Sequence, residues 1–283
     1  MTILDKKITT ILKKQLLEEV VSIKDCSHGI AQIVKIVKTK KDKYIIKFPH
    51  KGNELMIYRE NFVCSVLKKN FLPRIILKDK NFLIESFIDG KELNKVKKQG
   101  PRFYKELGRA IKEIHAIKMS GFGELQNNGK GKQLTPIKHL EYVLKQNSPL
   151  LSKIKSFDKK LLQQTKDFIY KNIHLFDQKN PVLLHFDLID GNIMVKNNKL
   201  AGIIDFGDTS CGPKEYDLAK MYLEKTTKTF SYIVAGYGKN LIDMKKIKYF
   251  AILHLLYVIP HFSKIDEKKC DKFIKLLRVL TRC

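Results

Sequence analysis

Arginine is scarce in this chain: of 55 basic residues 49 are Lys and 6 are Arg, against 29 acids, for a formal net charge of +26. Arg is the side chain that reads base edges and grips phosphate bidentately. Lysines spread over every segment without one block do not make such a reader, so specific nucleic-acid binding is set aside as the main function. Paired cysteines are missing as well. Cys26, Cys64, Cys211, Cys270 and Cys283 are odd in number and lack metal-ligand spacing, which argues against a disulfide framework or a zinc cluster and for reduced thiols in a cytoplasm. Long apolar runs are also absent. The longest, 249–262, contains His254, Pro260 and His261; it is too short to span a bilayer and reads as a core helix, so no membrane partner is expected. No repeat, linker run or low-complexity tract stands out beyond the lysines. Near the start, Ile8, Ile11, Leu12, Leu16 and Val20 are separated by charges, the pattern of an amphipathic helix rather than a signal sequence.

What the chain does contain is concentrated between Pro181 and Lys220. An apolar lead-in reaches His185-Phe186-Asp187, Asn192 follows, and a second apolar stretch, LAGII, ends on Asp205-Phe206-Gly207-Asp208. Acids and an amide placed where two strands stop suit phosphoryl transfer. A hydroxyl that attacks a nucleoside triphosphate needs a carboxylate near its proton, and the phosphates need Mg²⁺, a hard cation with oxygen ligands. Asp187 fits the first task; Asn192 and Asp205 fit the second. A single Asp at a strand end is ordinary, but the ordered set is specific.

At these residues the chain resembles the aminoglycoside phosphotransferase and choline-kinase-like family, relatives of the protein kinases: HFDLIDGNIMV, then GIIDFGD, Gly212 and YDLA match its pattern. Phe186 departs from it, since many members carry Gly there. The resemblance implies an α+β, two-lobed protein-kinase-like fold, with an N-terminal antiparallel sheet and one helix over 1–89 and a larger, mostly helical lobe over 90–283. It implies ATP as cofactor, with GTP left open, and a small-molecule hydroxyl acceptor of the aminoglycoside type, or else an amino alcohol or sugar. It also suggests that Asp217 braces the catalytic loop.

A kinase-like chain makes demands on its N-terminal half. Residues 31–39 and 43–48 read as a hairpin, and Lys47 sits inside YIIKFP among apolar neighbours, the candidate for holding ATP phosphates in a chain where lysine is common. Over 53–67 the stripe Met56, Glu60, Val63, Leu67 has helical spacing, so Glu60 falls on the apolar face, where a carboxylate needs a partner. Lys47 would supply it, and Arg59-Glu60 matches the family's usual pair. Glu54, at the helix start, suits the helix dipole instead. Ser27-His28-Gly29 is the candidate phosphate-covering turn, with Gly29 its single glycine, although a plain β-turn fits equally. The resemblance makes Glu85 to Phe87 the hinge whose backbone meets an adenine edge.

Helices are expected over 102–117, 135–145, 157–174, 217–224 and 247–258, with loops at 121–123 and 127–131. His115, His254 and His261 read as packed core residues, and His185 as a brace for its loop. From Pro181 to Asp217, Asp187, Asp190, Asp205, Asp208, Glu215 and Asp217 outnumber Lys196, Lys199 and Lys214; the surplus left after Mg²⁺ favours a cationic acceptor. A monomer or small homo-oligomer is expected. The competing readings are a non-catalytic pseudokinase and a nucleic-acid binder.

Overall fold

The computed structural model describes residues 2–26, 31–176 and 179–282, and the turn expected at Ser27-His28-Gly29, with Gly29 itself, lies outside them. The chain forms two compact units: residues 1–97 with 190–207, and residues 98–189 with 208–283. A single cut at residue 89 misses this return, which arises because a strand after Asp190 pairs with residues 91–92.

The first unit opens with helix α1 (Ile3–Ile11), capped by a reciprocal pair between Thr2 and Asp5. After a wider turn at Leu12–Leu16 come strands β1 (Val20–Asp25), β2 (Gln32–Thr39) and β3 (Lys43–Pro49), so Val20 belongs to a strand and not to the N-terminal helix. Helix α2 (Leu55–Leu67) and strands β4 (Ile75–Lys78) and β5 (Leu83–Ser86) complete an antiparallel sheet in the order β1-β2-β3-β5-β4. The apolar stripe of α1 packs on this sheet: Ile8 and Leu12 join Val37, Tyr44, Ile46, Phe48 and Ile84 in one core. That burial, worth roughly 1.5–3 kcal/mol per large side chain, explains why so short a helix holds. The unit also contains β6 (Lys91–Glu92), β10 (Ile193–Lys196) and β11 (Lys199–Ile203), a three-stranded sheet in the order β11-β10-β6. Asn197 and Asn198 both have positive φ, 52° and 58°, which suits a two-residue hairpin turn whose twist matches the flanking strands.

The second unit carries α3 (Pro101–Ile114), strands β7 (Phe122–Leu125) and β8 (Gly131–Gln133), α4 (Pro136–Leu151), α5 (Lys159–Lys171), β9 (Val182–Leu184) and β12 (Ser210–Gly212). Helices α6 (Glu215–Glu224), α7 (Thr227–Tyr237), α8 (Met244–Phe262) and α9 (Glu267–Leu280) follow. Of the segments expected as loops, 127–130 is the turn of the β7–β8 hairpin, whereas Phe122, Gly123 and Gly131 lie in its strands, part of a sheet in the order β8-β7-β12-β9. Two helices were not legible in the sequence, α7 and α9. In α7 the Thr, Ser and aromatic residues have weak helix preference, and packing decides the matter. Gly236 and Gly108 allow it: a Cβ at Gly236 would lie 2.0 Å from the Lys105 carbonyl oxygen, and one at Gly108 2.1 Å from that of Ile233. Helices α3 and α7 therefore meet backbone to backbone.

The core of this unit runs through α4, α5, α8 and α9, with Tyr249, Phe250, Leu253, Leu256 and Leu277 fully enclosed. Its centre, α8, is the long apolar run, and no helix among the described residues is long and apolar enough to cross a membrane. His115 and His254 are buried as expected. His261 is exposed, because it falls on the outward side near the end of α8.

Candidate active site

In the first unit the chemistry gathers around Lys47. The β2–β3 register pairs Val34 with Lys47 and the β3–β5 register pairs Lys47 with Leu83, so the lysine sits in the middle of the sheet and is 5% exposed. A buried ammonium needs paired charge. Its Nζ is bound to the Glu60 carboxylate, lies 2.7 Å from Glu85 Oε1, and is 3.9 Å from Asp205 Oδ1. Burial alone would lower the Lys47 pKa, but Glu60, Glu85 and Asp205 together raise it well above the ordinary value, so the cation persists. Burial likewise pushes the Glu60 carboxyl up to about 8; Glu85 and Asp205 add to this and Lys47 opposes it, because one cation faces three acids. Gln32 Nε2 donates to Glu60 Oε1 at 3.2 Å. Met56, Glu60, Val63 and Leu67 are all buried on α2, as their spacing requires.

Glu85 has a side-chain part besides the hinge backbone expected of it. Its side chain, on the same sheet face as Lys47, is a second partner for the ammonium, a role its place in an otherwise apolar strand could have signalled. The hinge amides are largely spent in the sheet: Ser86 N–H donates to the Arg74 carbonyl at 2.9 Å and Phe87 N–H to that of Lys43 at 3.1 Å. Pairing runs one residue past the strand, and an adenine edge would have to be met by carbonyls here or by atoms from Ile88 onward. The Phe87 ring instead lies beneath the Lys43 ammonium, 3.5 Å away.

Asn192 and Asp205 are brought together by the β10–β11 hairpin. Ile193 pairs with Ile203, and Ile204 N–H donates to the Asn192 carbonyl at 3.0 Å, which leaves both residues at the open end of one ladder. Asp205 has φ of 66°, a left-handed conformation that costs a non-glycine residue energy and is found where side-chain aim matters. The chain just beyond Asp205 is pinned to α2: Arg59 Nη1 donates to the Gly207 carbonyl at 3.1 Å, and a Cβ at Gly207 would strike Met56 at 2.4 Å. A carboxylate and an amide oxygen are hard donors that fit Mg²⁺. No group of three His, Cys, Asp or Glu that could hold a metal occurs among the described residues, so phosphate oxygens and water would fill the remaining positions.

In the second unit Asp187 follows a clamped turn. The Asp217 carboxylate accepts from the N–H groups of His185 and Phe186, both at 2.8 Å, and His115 Nε2 lies 3.1 Å from Asp217 Oδ2. Burial would raise the Asp217 pKa, but His115 and the backbone donors more than offset it and hold it below the usual range. His115 Nδ1 is 3.0 Å from the Tyr237 hydroxyl, which ties the brace to α7. Lys220, one turn beyond Tyr216 on α6, binds the Asp187 carboxylate through its ammonium. Sequence reasoning missed Lys220, whose only signal was its place four residues after a buried tyrosine. Of the acids between Pro181 and Asp217, Asp217 is committed to the turn and Glu215 is buried, its carboxyl pushed up by desolvation; the surplus thought to favour a cationic acceptor is smaller than the sequence suggests.

The chain has the fold of aminoglycoside phosphotransferase APH(4)-Ia, solved as a thermostable mutant in ternary complex with AMP-PNP and hygromycin B, with a TM-score of 0.79, 12% identity and 98% of each chain covered. A putative fructosamine-3-kinase from Thermobifida fusca superposes with a TM-score of 0.74 at 14% identity, covering 98% of this chain and 99% of the other. The gentamicin complex of APH(2")-IIa gives 0.68 at 19% identity, covering 98% and 97%. No relative was found among curated proteins by sequence. The profile of the phosphotransferase enzyme family matches residues 22–250, and with most of its length matched the chain belongs to that family.

Proposed function

We propose that the protein transfers the γ-phosphoryl group of ATP to a hydroxyl of a small molecule. The observation that carries this is the convergence, within the first unit, of Asn192 and Asp205 on one hairpin end with Lys47 3.9 Å from Asp205. Lys47 would hold α- and β-phosphate oxygens, and Asn192 and Asp205 would hold Mg²⁺, which neutralises charge on the phosphates when bound. Asp187 takes the proton of the acceptor hydroxyl. The acceptor oxygen forms a bond to the γ-phosphorus, the bond from that phosphorus to its bridging oxygen breaks, and ADP leaves with the electron pair. Little covalent chemistry falls to the protein, and positioning with charge neutralisation supplies most of the rate. An intact Lys47, Asp187, Asn192 and Asp205 speak for catalysis over a pseudokinase. Calorimetry of Mg·ATP together with a coupled assay of ADP release over an acceptor panel is the test. Failure to bind Mg·ATP would end this reading.

A further inference from the structure

The second unit holds a cavity of about 200 Å³ that Phe186 helps to line. It is smaller than the roughly 300–1,000 Å³ of cavities that bury drug-sized ligands, so its scale is one ring. Aromatic side chains form much of the wall: Phe186, Tyr142 and Tyr257. Phe186 is the residue immediately before Asp187, and its φ of 68° is a genuine outlier for a bulky side chain. Its ring is held there by Tyr216, with centroids 5.4 Å apart, and by Tyr257 edge-on at 5.9 Å. Strain of this kind persists only where surrounding packing over-determines it.

Apart from Glu124, the polar part of the wall is uncharged. Gln133 and His139 point toward the space that Gly123 leaves by having no side chain: a Cβ there would lie 2.4 Å from Gln133 Oε1 and 2.9 Å from His139 Nδ1. Burial lowers the His139 pKa to about 4, so this imidazole is neutral near pH 7. Asn147 adds an amide. The one acid among the lining residues, Glu124, already has Lys132 3.9 Å away, and the same ammonium sits over the Tyr142 ring at 4.7 Å. A polycation would find one acid here, already matched, and would bring its own like charge against Lys132.

We infer that this cavity is the acceptor subsite and that it takes a compact, uncharged, polyhydroxylated ring of about one sugar unit. Phe186 and Tyr257 offer the apolar C–H faces of such a ring an aromatic platform, while Gln133, His139 and Asn147 face its hydroxyls with uncharged polar groups, of which Asn147 Nδ2 already donates to the Val143 carbonyl at 2.9 Å and His139 Nδ1 lies 3.4 Å from Gln133 Oε1. Phe186 is the residue that sets the size limit. The inference rests on the phosphotransfer reading for the chemistry done on the bound ring, but not for binding itself.

The test therefore has two arms. Saturation-transfer NMR without nucleotide, using D-glucose, D-ribose, myo-inositol, choline and the multi-ring kanamycin as probes, reads occupancy; a coupled assay with Mg·ATP reads turnover on the same compounds. At least one single-ring polyol is expected to bind and to show a kcat/KM at least tenfold above that of choline or kanamycin. Phe186→Gly suits the positive φ but removes a ring packed on the core, so a thermal melt checks its fold and Tyr142→Ala, on another wall of the cavity, serves if it unfolds; either should cut the single-ring signal and kcat/KM at least tenfold, and Phe186→Gly should also narrow the gap to kanamycin. Binding of a single-ring probe without any turnover keeps the subsite and overturns the phosphotransfer reading. Turnover favouring kanamycin or choline, absence of binding by every single-ring probe, or an unchanged preference in Phe186→Gly overturns the inference and leaves phosphotransfer standing.

Discussion

Glu85 Oε1 lies 2.7 Å from Lys47 Nζ, which the Glu60 carboxylate also binds, so two buried carboxylates hold one lysine. On this arrangement one carboxylate should suffice to keep the lysine in place. Glu60→Gln and Glu85→Gln are each expected to change Mg·ATP affinity by less than about fivefold. The double variant should lose more than the sum, with a coupling of about 0.5–3 kcal/mol, as befits residues in one network. Calorimetric Kd values for the four proteins measure it, and strict additivity would mean that the second carboxylate does not support Lys47.

Lys47 itself should not be replaceable. Lys47→Ala should abolish measurable turnover, whereas Lys43→Ala should change it little, since Lys43 is exposed and its ammonium rests on Phe87. Steady-state rates at saturating acceptor decide this, and equal losses would shift the phosphate contact away from the centre of β3.

The two aspartates should fail differently. Asp205→Ala should remove Mg²⁺-dependent nucleotide binding and turnover together. Asp187→Ala should leave Mg·ATP affinity within about threefold while kcat falls by roughly 10²–10⁴, the scale for a lost general base. Near-normal turnover without Asp187 would contradict the assignment.

Acid should destabilise the fold in a defined window. Burial lowers the pKa of His254 to about 3, with Lys220 adding to the effect, and that of His139 to about 4, from 6.5. A base whose folded pKa is depressed contributes stability above its unfolded value and loses it as pH falls toward the folded one. The share of unfolding free energy owed to these two imidazoles, read from urea titrations, should thus be constant above about pH 7 and fall as pH drops from about 6.5 toward 3, by an amount on the order of a few kcal/mol in all. His254→Gln should flatten that slope; a slope unchanged by this variant would place the acid sensitivity elsewhere.

Close helix contact carries its own prediction. Gly236→Ala puts a methyl group where the Lys105 carbonyl stands and should cost about 1–3 kcal/mol. Gly100→Ala, with open space around it, should stay within about 0.5 kcal/mol. Thermal unfolding of both variants compares them directly.

By itself the sequence determined the parts of the protein that obey local rules. The β2–β3 hairpin shows in alternation, α2 in a 3.6-residue stripe that turns Glu60 inward, α8 in its apolar run, and the Asp187, Asn192, Asp205 order in fixed spacing along the chain. Tertiary structure decided the features that depend on residues far apart. Helix α7 exists because two glycines let backbones touch, and its propensities alone do not write it. Strand β7 looked like loop because its Gly123 bridges to Cys211 in β12, a partner far along the chain. Glu85 became a partner of Lys47 through sheet register, and Lys220 a partner of Asp187 through the packing of α6; neither pairing leaves a periodic trace. Phe186 is the clearest case. Its letter in the sequence says only that an aromatic precedes Asp187, whereas its left-handed backbone and its place between Tyr216 and Tyr257 turn that aromatic into a wall, because only packing from α6 and α8 can hold a bulky residue where its own backbone preference would not.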